Sequence, residues 1–139
     1  MGGYKITCNY KVVAQSDGDV LLHSIADSIL GAAGLGDIGM FFSDQDNKNK
    51  NLDSKLIIKH CLNELNKMDL EIYNIDTTII CENPKINPHR EKILKNLSAI
   101  LKVPIKKIGL KATTSEKIGI IGNNEAISVQ SIVNLKDIS

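Results

Sequence analysis

Segments with helical periodicity alternate along this chain with segments whose apolar and polar residues alternate. Apolar side chains recur at helical spacing over residues 20–33 and 54–67, and three β-rich stretches predict strands: "LEIYNIDTTIICENP", "KKIGLKATT" and "EAISVQSIVNLK". A third helix is expected to start with Asn87 as its cap and Pro88 at its first position. Because helices and strands interleave, we expect one mixed-sheet α+β domain over residues 1–139, with helices on one face of the sheet.

Smaller signals refine these elements. Asp17 or Asp19 can cap the first helix and Asp53 the second, because a short carboxylate side chain accepts hydrogen bonds from free backbone amides. Residues Tyr4 to Ala14 are expected to form short β segments. The second helix is expected to bury Leu56, Ile57, Cys61 and Leu65.

Composition excludes several functional classes. The 139 residues are 42% hydrophobic and 24% charged, which is ordinary for a globular protein with its own core. The formal charge of +1 argues against a large footprint for nucleic acid, so no nucleic-acid partner is expected. No apolar run approaches the roughly 18 residues of a membrane span, so no membrane partner is expected either. Three widely spaced cysteines suit a reducing compartment better than a disulfide framework.

The first candidate site lies in "AQSDGDVLLH" and the helix that follows. His23 is four residues after Asp19 and four before Asp27, so the three side chains can share one helix face. Either aspartate could hold the second ring nitrogen of a metal-bound imidazole. The alternative is a helix start with an ordinary histidine behind it, and spacing alone favours that alternative because catalytic zinc takes about three protein ligands.

Two further clusters follow predicted strands. "KATTSEK", Lys111 to Lys117, combines hydroxyls, amides and a carboxylate that could bind phosphates and share a hard cation with them. "CENPKINPH", Cys81 to His89, is stiffened by two prolines and could present backbone groups to a planar base, with Lys85 reaching a phosphate. The alternatives are a capped turn for the first and a plain strand-to-helix connection for the second.

Taken together, three blocks of the chain resemble one family. "SDGDVLLHSIADSILGAAGLGDIGMFFSDQD", "PKINPH" and "KATTSEKIG" occur in the order and approximate spacing of the 2-C-methyl-D-erythritol 2,4-cyclodiphosphate synthases, and the likeness runs from Gly2 to about Leu135. The resemblance implies a homotrimer whose sheets line a central prism, with three active sites between neighbouring subunits.

The resemblance also implies a reaction of the non-mevalonate isoprenoid pathway. The substrate would be a cytidine-diphosphate-linked methylerythritol that carries a 2-phosphate, which attacks the β-phosphate so that CMP leaves and a cyclic diphosphate forms. Such phosphoryl transfer depends mainly on positioning and on charge neutralisation by metals. The expected location is a bacterial cytoplasm, with a plastid-type organelle as the alternative.

Residue roles follow from the same resemblance. His23 matches a zinc ligand, and Glu116 matches the carboxylate of a second divalent ion, Mg²⁺ or Mn²⁺. Thr114 and Glu116 are the implied catalytic residues. Gln15 and Ser16 match a loop that faces the phosphates. The full set of implied substrate-binding residues is Gln15, Ser16, Asp37, Ile38, Gly39, Asp44, Cys81, Pro84, Lys85, Ile86, Ala112, Thr113 and Thr114.

The chain also departs from the family pattern. The family carries an Asp-x-His motif on a first strand, which supplies two more zinc ligands, and no such motif occurs here. Gln15 stands where the family usually has histidine, and Asn123 stands where many members have arginine. We expect that the chain is truncated at its N-terminus and that, as written, it binds zinc weakly or not at all. The alternative is a non-catalytic, trimeric cytidine-nucleotide-binding variant without the zinc site.

Overall fold

A three-stranded mixed sheet organises the protein in this computed structural model, which describes residues 1–139. The central strand, β1 (Leu70–Ile80), pairs in parallel with β2 (Ile108–Thr113) and antiparallel with β3 (Ser128–Asp137). The strand order is therefore β2-β1-β3. The prediction of a mixed-sheet α+β fold is confirmed.

Three helices of twelve to fourteen residues cover one face of this sheet: α1 (Val20–Ala32), α2 (Ser54–Lys67) and α3 (Arg90–Leu101). A fourth, α4 (Gly119–Gly122), is a single turn that the sequence did not predict. Apolar residues of the three longer helices and of the strands form one buried cluster that is rich in isoleucine and leucine. No helix of the chain has the length and apolar character that crossing a membrane requires.

Burial alternates along the strands and distinguishes the two faces of the sheet. Ile75 and Val133 point into the core beneath the helices, and both are more than 90% buried. Asp76 and Lys111 form an exposed ion pair at 2.7 Å on the opposite face, beside Ile132, whose side chain is 68% exposed. This opposite, free face therefore has no cover within the chain.

Aspartate side chains start the first two helices, as predicted. Asp19 caps α1 by accepting from the amide of Leu22, and Asp53 caps α2 by accepting from the amide of Lys55. Helix α2 buries its predicted residues with one exception, because Leu56 is 50% exposed. That prediction was wrong because Leu56 precedes the buried Ile57 and so lies about 100° from it around the helix axis.

The third helix begins later than predicted. A 3₁₀ turn over Asn87–His89 contains Pro88, and α3 starts only at Arg90, with no side-chain cap hydrogen bond. Pro88 fits a first helical turn of either type because it lacks an amide hydrogen. The proline therefore indicated a helical start correctly, but the role of Asn87 as the cap of α3 was wrong.

Residues 4–14 form no strand, which contradicts the predicted short β segments. Most of this stretch is exposed, and no strand of the sheet lies beside it. The preceding backbone is instead held by Asp19, whose two carboxylate oxygens accept from the amides of Gly2 and Gly3 at 2.8 and 2.7 Å. An alternating sequence forms a strand only where a partner edge satisfies its backbone groups.

Candidate functional site

One group of predicted residues surrounds a cavity of about 600 Å³ beside the start of α1, here called the loop cavity. Loops before α1 and between α1 and α2 form most of its wall. The predicted residues among its lining are Gln15, Ser16, His23, Ile38 and Asp44. The loop cavity therefore gathers residues from three separate stretches of sequence.

Asp17 fastens the loop that carries Gln15 and Ser16. Its carboxylate accepts hydrogen bonds from both the hydroxyl and the amide of Ser54, the latter at 2.9 Å. Burial alone would raise the pKa of Asp17, but the bonds from Ser54, the Asp19 amide and the nearby charge of His23 hold this pKa below its usual value. The loop is thereby tied to the first turn of α2.

His23 reaches the loop cavity without the carboxylate partner that the sequence suggested. Its Nε2 atom is buried and has no hydrogen-bond partner. Asp19 is occupied by backbone amides, and Asp27 accepts from the amide of Ile38 at 2.8 Å. Both aspartates thus bond backbone amides, and neither forms a hydrogen bond with His23.

No three His, Cys, Asp or Glu side chains converge as a metal centre anywhere in the 139 residues. A histidine ring nitrogen without a partner can accept a hydrogen bond or coordinate a metal. His23 alone, however, leaves a zinc ion short of the usual three protein ligands. The donor set within this chain therefore does not fit a zinc ion.

A 3₁₀ turn over Ile38–Met40 carries Asp37 and Gly39 near the loop cavity, but neither residue lines it. The carboxylate of Asp37 accepts from the amide of Met40 at 3.2 Å and is otherwise exposed. The next residues, Phe41 and Phe42, contact the ring of His60 on α2, with centroid separations of 4.7 and 5.3 Å. These ring contacts hold the turn against α2.

A second group of predicted residues surrounds a cavity of about 360 Å³ at the carboxyl ends of β1 and β2, here called the strand-end cavity. Its predicted lining residues are Cys81, Pro84, Lys85, Ile86, Ala112, Thr113 and Thr114. Only Asn87 completes the lining. Nearly every residue of the strand-end cavity was thus selected from the sequence.

Strand pairing brings the two halves of the strand-end cavity together. Ile80 pairs with Thr113, and the amide of Cys81 donates to the carbonyl of Thr113 at 3.0 Å. The loop that leaves β1 contains a cis peptide bond before Pro84, and the Cys81 thiol donates to the Pro84 carbonyl at 3.5 Å. Ile86 is 4% exposed and anchors the far end of this loop in the core.

The pKa values of two residues around the strand-end cavity are shifted in opposite directions. Burial raises the pKa of the Cys81 thiol, while the ammonium of Lys85 opposes that shift. Desolvation would raise the pKa of Glu82. Hydrogen bonds from Lys117 and Ser115, together with the positive charge of Lys85, nevertheless hold this pKa below its usual value. Lys85 is exposed at the cavity wall, where a positive charge attracts a phosphate group.

Glu116 lies in an exposed turn directly after the strand-end cavity but does not line it. The backbone at Glu116 and Lys117 is left-handed, with φ of 53° and 61°. The Thr114 hydroxyl lies 3.5 Å from the Glu116 carboxylate and accepts from the Glu116 amide at 3.2 Å. A single exposed carboxylate beside hydroxyls can hold Mg²⁺ or Mn²⁺ when ligand phosphates supply further oxygens.

No sequence pattern indicated a role for Glu82, which lies within "CENPKINPH". Its carboxylate accepts from Ser115 and Lys117 across the space between the two strand ends. The sequence feature that could have indicated a role is the position of this carboxylate just after the end of β1. Its partners depend on a left-handed turn 33 to 35 residues away, which spacing does not reveal.

The loop cavity and the strand-end cavity share no lining residue. His23 and Asp44 line the first, whereas Lys85 and Thr114 line the second. One chain therefore presents two partial sets of the predicted residues rather than a single continuous site.

Comparison with known proteins gives both fused and separate relatives. The chain is 48% identical over 136 residues to the bifunctional enzyme IspD/IspF of Aliarcobacter butzleri, with 98% of this chain and 36% of that enzyme covered. It is 45% identical over 127 residues to the 2-C-methyl-D-erythritol 2,4-cyclodiphosphate synthase of Leptospira borgpetersenii, covering 91% of this chain and 79% of that enzyme. The chain thus spans about a third of the fused relative.

Solved structures agree with these relatives. The CDP complex of IspF from Plasmodium falciparum superposes with a TM-score of 0.88 at 36% identity, covering 99% of this chain and 83% of that one. The model of the YgbB family matches residues 1–136. On this match and these identities, the chain belongs to the YgbB family, the family of the 2-C-methyl-D-erythritol 2,4-cyclodiphosphate synthases.

Proposed function

We propose that this protein converts 4-diphosphocytidyl-2-C-methyl-D-erythritol 2-phosphate to 2-C-methyl-D-erythritol 2,4-cyclodiphosphate with release of CMP. The observation that carries the proposal is the strand-end cavity, where residues selected for a cytidine pocket line one space of about 360 Å³. Relatives that carry the synthase name and a CDP complex of the same fold support it. A bacterial cytoplasm is the proposed location, in keeping with bacterial relatives.

In this proposal the strand-end cavity holds the cytidine end of the substrate. The base lies against the loop around Pro84, where backbone groups can bond its polar edge. The Lys85 ammonium binds a phosphate as a point charge, and the Thr113 and Thr114 hydroxyls donate to phosphate oxygens. These contacts orient the diphosphate for in-line attack.

The reaction itself requires little covalent chemistry from the protein. An oxygen of the 2-phosphate attacks the β-phosphorus, the bond between this phosphorus and the oxygen shared with the α-phosphate breaks, and CMP leaves with that oxygen. Catalysis of this kind comes from positioning and from stabilising charge on the phosphate oxygens. Thr114 lines the cavity and its hydroxyl lies 3.5 Å from the Glu116 carboxylate, which supports a role for both residues near the phosphate oxygens.

Glu116 is the residue that would hold a divalent cation. Magnesium binds proteins through one or two carboxylates plus substrate phosphates, so one carboxylate beside a diphosphate site fits Mg²⁺ or Mn²⁺. When bound there, the cation would neutralise charge on the α- and β-phosphates. Zinc is different, because His23 offers one ligand, and we assign no step to it.

We further propose that the protein is a homotrimer whose sites form between copies. The two cavities of one chain share no lining residue, so the loop cavity of one copy would meet the strand-end cavity of the next. The free face of the sheet, with Ile132 68% exposed, would turn toward the other copies. Burial of such a side chain favours association.

The second candidate function is a trimeric cytidine-nucleotide-binding protein without catalysis. It is favoured by one observation, the lack of three converging metal ligands. The test is to incubate the purified protein with the diphosphocytidyl substrate and Mg²⁺, to follow CMP and the cyclic product by phosphorus NMR, and to measure CDP binding by calorimetry. Turnover supports the synthase, and CDP binding without turnover supports the second candidate. If the protein shows neither turnover nor CDP binding, both candidates are rejected.

A further inference from the structure

We propose that Glu82 is a positioning residue that holds the Glu116 turn in place at the strand-end cavity. The inference rests on the proposed function, because it concerns the turn that would hold the divalent cation. Glu82 directly follows Cys81 of the cavity wall and reaches across to residues on both sides of Glu116. It thus connects the loop after β1 with the turn after β2.

One oxygen atom makes all of these contacts. Glu82 Oε1 accepts from the amide of Ser115 at 3.0 Å, from the hydroxyl of Ser115 at 3.4 Å and from the amide of Lys117 at 3.2 Å. The donors are the two neighbours of Glu116 in sequence. The backbone of Glu116 is therefore bracketed by bonds to a single acceptor.

The turn needs such an acceptor because of its backbone conformation. Two successive non-glycine residues, Glu116 and Lys117, have positive φ, which is uncommon for residues with a side chain. Conformations of this kind persist only where surrounding contacts hold them. The bonds from the Ile118 amide to the Ser115 carbonyl at 3.0 Å and from the Ser115 hydroxyl to the Ile118 carbonyl at 2.9 Å are internal to the turn.

The charge of Glu82 also favours positioning over contact with substrate. A second carboxylate near a diphosphate repels it unless that carboxylate is neutralised. The Glu82 carboxylate accepts several hydrogen bonds, which lower its pKa, and Lys85 supplies a nearby positive charge. The oxygen that makes these bonds is therefore engaged with the turn around Glu116.

Variants can separate this role from the role of a ligand contact. Glu82→Gln keeps a carbonyl oxygen that can accept the same three bonds, so it should bind CDP in Mg²⁺ within about twofold of wild type. Glu82→Ala removes the acceptor oxygen. Glu82→Asp shortens the side chain by one methylene, so its carboxylate lies farther from Ser115 and Lys117. Both should weaken CDP binding in Mg²⁺ by about tenfold. In EDTA, these variants should show no loss of CDP affinity relative to wild type, because no cation then joins the Glu116 turn to the diphosphate.

A double variant tests whether Glu82 acts through Glu116. In the Glu116→Gln background, adding Glu82→Ala should cause no further loss of CDP affinity in Mg²⁺, because the cation ligand is already gone. The matched control is Glu71→Ala, which removes an exposed glutamate from the other end of β1, where it pairs with Lys136. Calorimetry measures every case, and circular dichroism compares the folds.

The outcomes distinguish this inference from the proposed function. If wild-type protein binds no CDP, the proposed function fails and this inference fails with it. If wild-type protein shows Mg²⁺-dependent CDP binding and both Glu82→Ala and Glu82→Asp match it, only the role of Glu82 is overturned. Should Glu82→Ala fail to fold, the contrast between Glu82→Asp and Glu82→Gln decides, and equal affinity for these two would reject the proposal.

Discussion

The strand-end cavity and the loop cavity are built in different ways. Residues of the strand-end cavity follow two paired strands, so the ladder between Ile75–Ile80 and Ile108–Thr113 fixes their relative position. The loop cavity has no ladder, and its walls are held by aspartate side chains that accept from backbone amides. These contacts join Asp17 to Ser54 and Asp27 to Ile38.

The two cavities also differ in how many of the predicted residues one chain brings together. The strand-end cavity gathers its predicted residues within a single chain, with Lys85 and Thr114 in place. The loop cavity contributes one imidazole and leaves its Nε2 without a partner. We infer that nucleotide binding depends mainly on the strand-end cavity, whereas turnover depends on bringing both cavities together.

A charge on the free face of the sheet tests whether the two cavities act together across copies. Ile132→Glu would place a carboxylate on the free face of the sheet, directly opposite Asp76 on β1. In a trimer each of the three copies would bury one such charge. We therefore expect the trimer to dissociate and kcat/KM to fall about 100-fold. Sedimentation measures the assembly, and CMP release measures the activity.

The control for that variant is Ile138→Glu, which changes another half-exposed isoleucine beyond the end of β3. It should leave both assembly and activity unchanged. CDP binding to Ile132→Glu monomers should persist, because the strand-end cavity belongs to one chain. An Ile132→Glu protein that remains trimeric and fully active would contradict the proposed use of this face.

Glu116→Gln tests the role of the turn beside the strand-end cavity. With Mg²⁺ or Mn²⁺ present, CDP should bind about tenfold more weakly than to wild type, because a hard cation prefers a charged oxygen ligand. With EDTA the difference should shrink or reverse, since removing a carboxylate relieves repulsion of the diphosphate. Calorimetry in the two buffers gives both values. An equal loss in each buffer, with a lower melting temperature in each, would make Glu116 a structural turn residue.

Much of the fold could be predicted because its signals are local. Apolar spacing located α1 and α2, and their aspartate caps followed from residue type. β-branched alternation located β1, and the resemblance to the synthases grouped Pro84, Lys85 and Thr114, which line one cavity. Their individual roles remain predictions.

What could not be predicted depends on partners distant in sequence. The stretch 4–14 has an alternating pattern but no neighbouring strand, so it forms none. His23 has two aspartates at helical spacing, yet Asp19 and Asp27 satisfy backbone amides instead. The bonds of Glu82 depend on the left-handed turn at Glu116. Local residue spacing predicts neither the conformation of this turn nor its contact with Glu82.

Lys85→Ala tests a smaller contribution within the strand-end cavity. Lys85 is exposed and would contact a phosphate as a point charge, so we expect CDP affinity to fall about fivefold. Cytidine affinity should stay unchanged because cytidine carries no phosphate. Lys95→Ala, an exposed lysine on α3, is the control. Equal losses for CDP and cytidine would contradict the assigned role.

The smallest effect concerns the loop cavity. Asp17→Asn weakens the charge-assisted bonds to Ser54 but keeps an acceptor oxygen, so at pH 7 we expect a loss of about 1 kcal/mol and about 3 °C in melting temperature. Asp53→Asn is the control, because asparagine caps a helix as well as aspartate does.

The pH dependence of that difference identifies its cause. Folding lowers the pKa of Asp17, so the stability that its charge contributes is fully present above the ordinary aspartate pKa of about 3.9. This stability is lost as the pH falls through the still lower pKa of the folded protein. The melting temperatures of wild type and Asp17→Asn should therefore converge as the pH is lowered below about 4. If their separation stayed constant between pH 7 and pH 3, the ionised carboxylate would not be what holds the loop to α2, and other contacts, such as the bond from the Asn51 amide to the Gln15 carbonyl at 2.8 Å, would hold it instead.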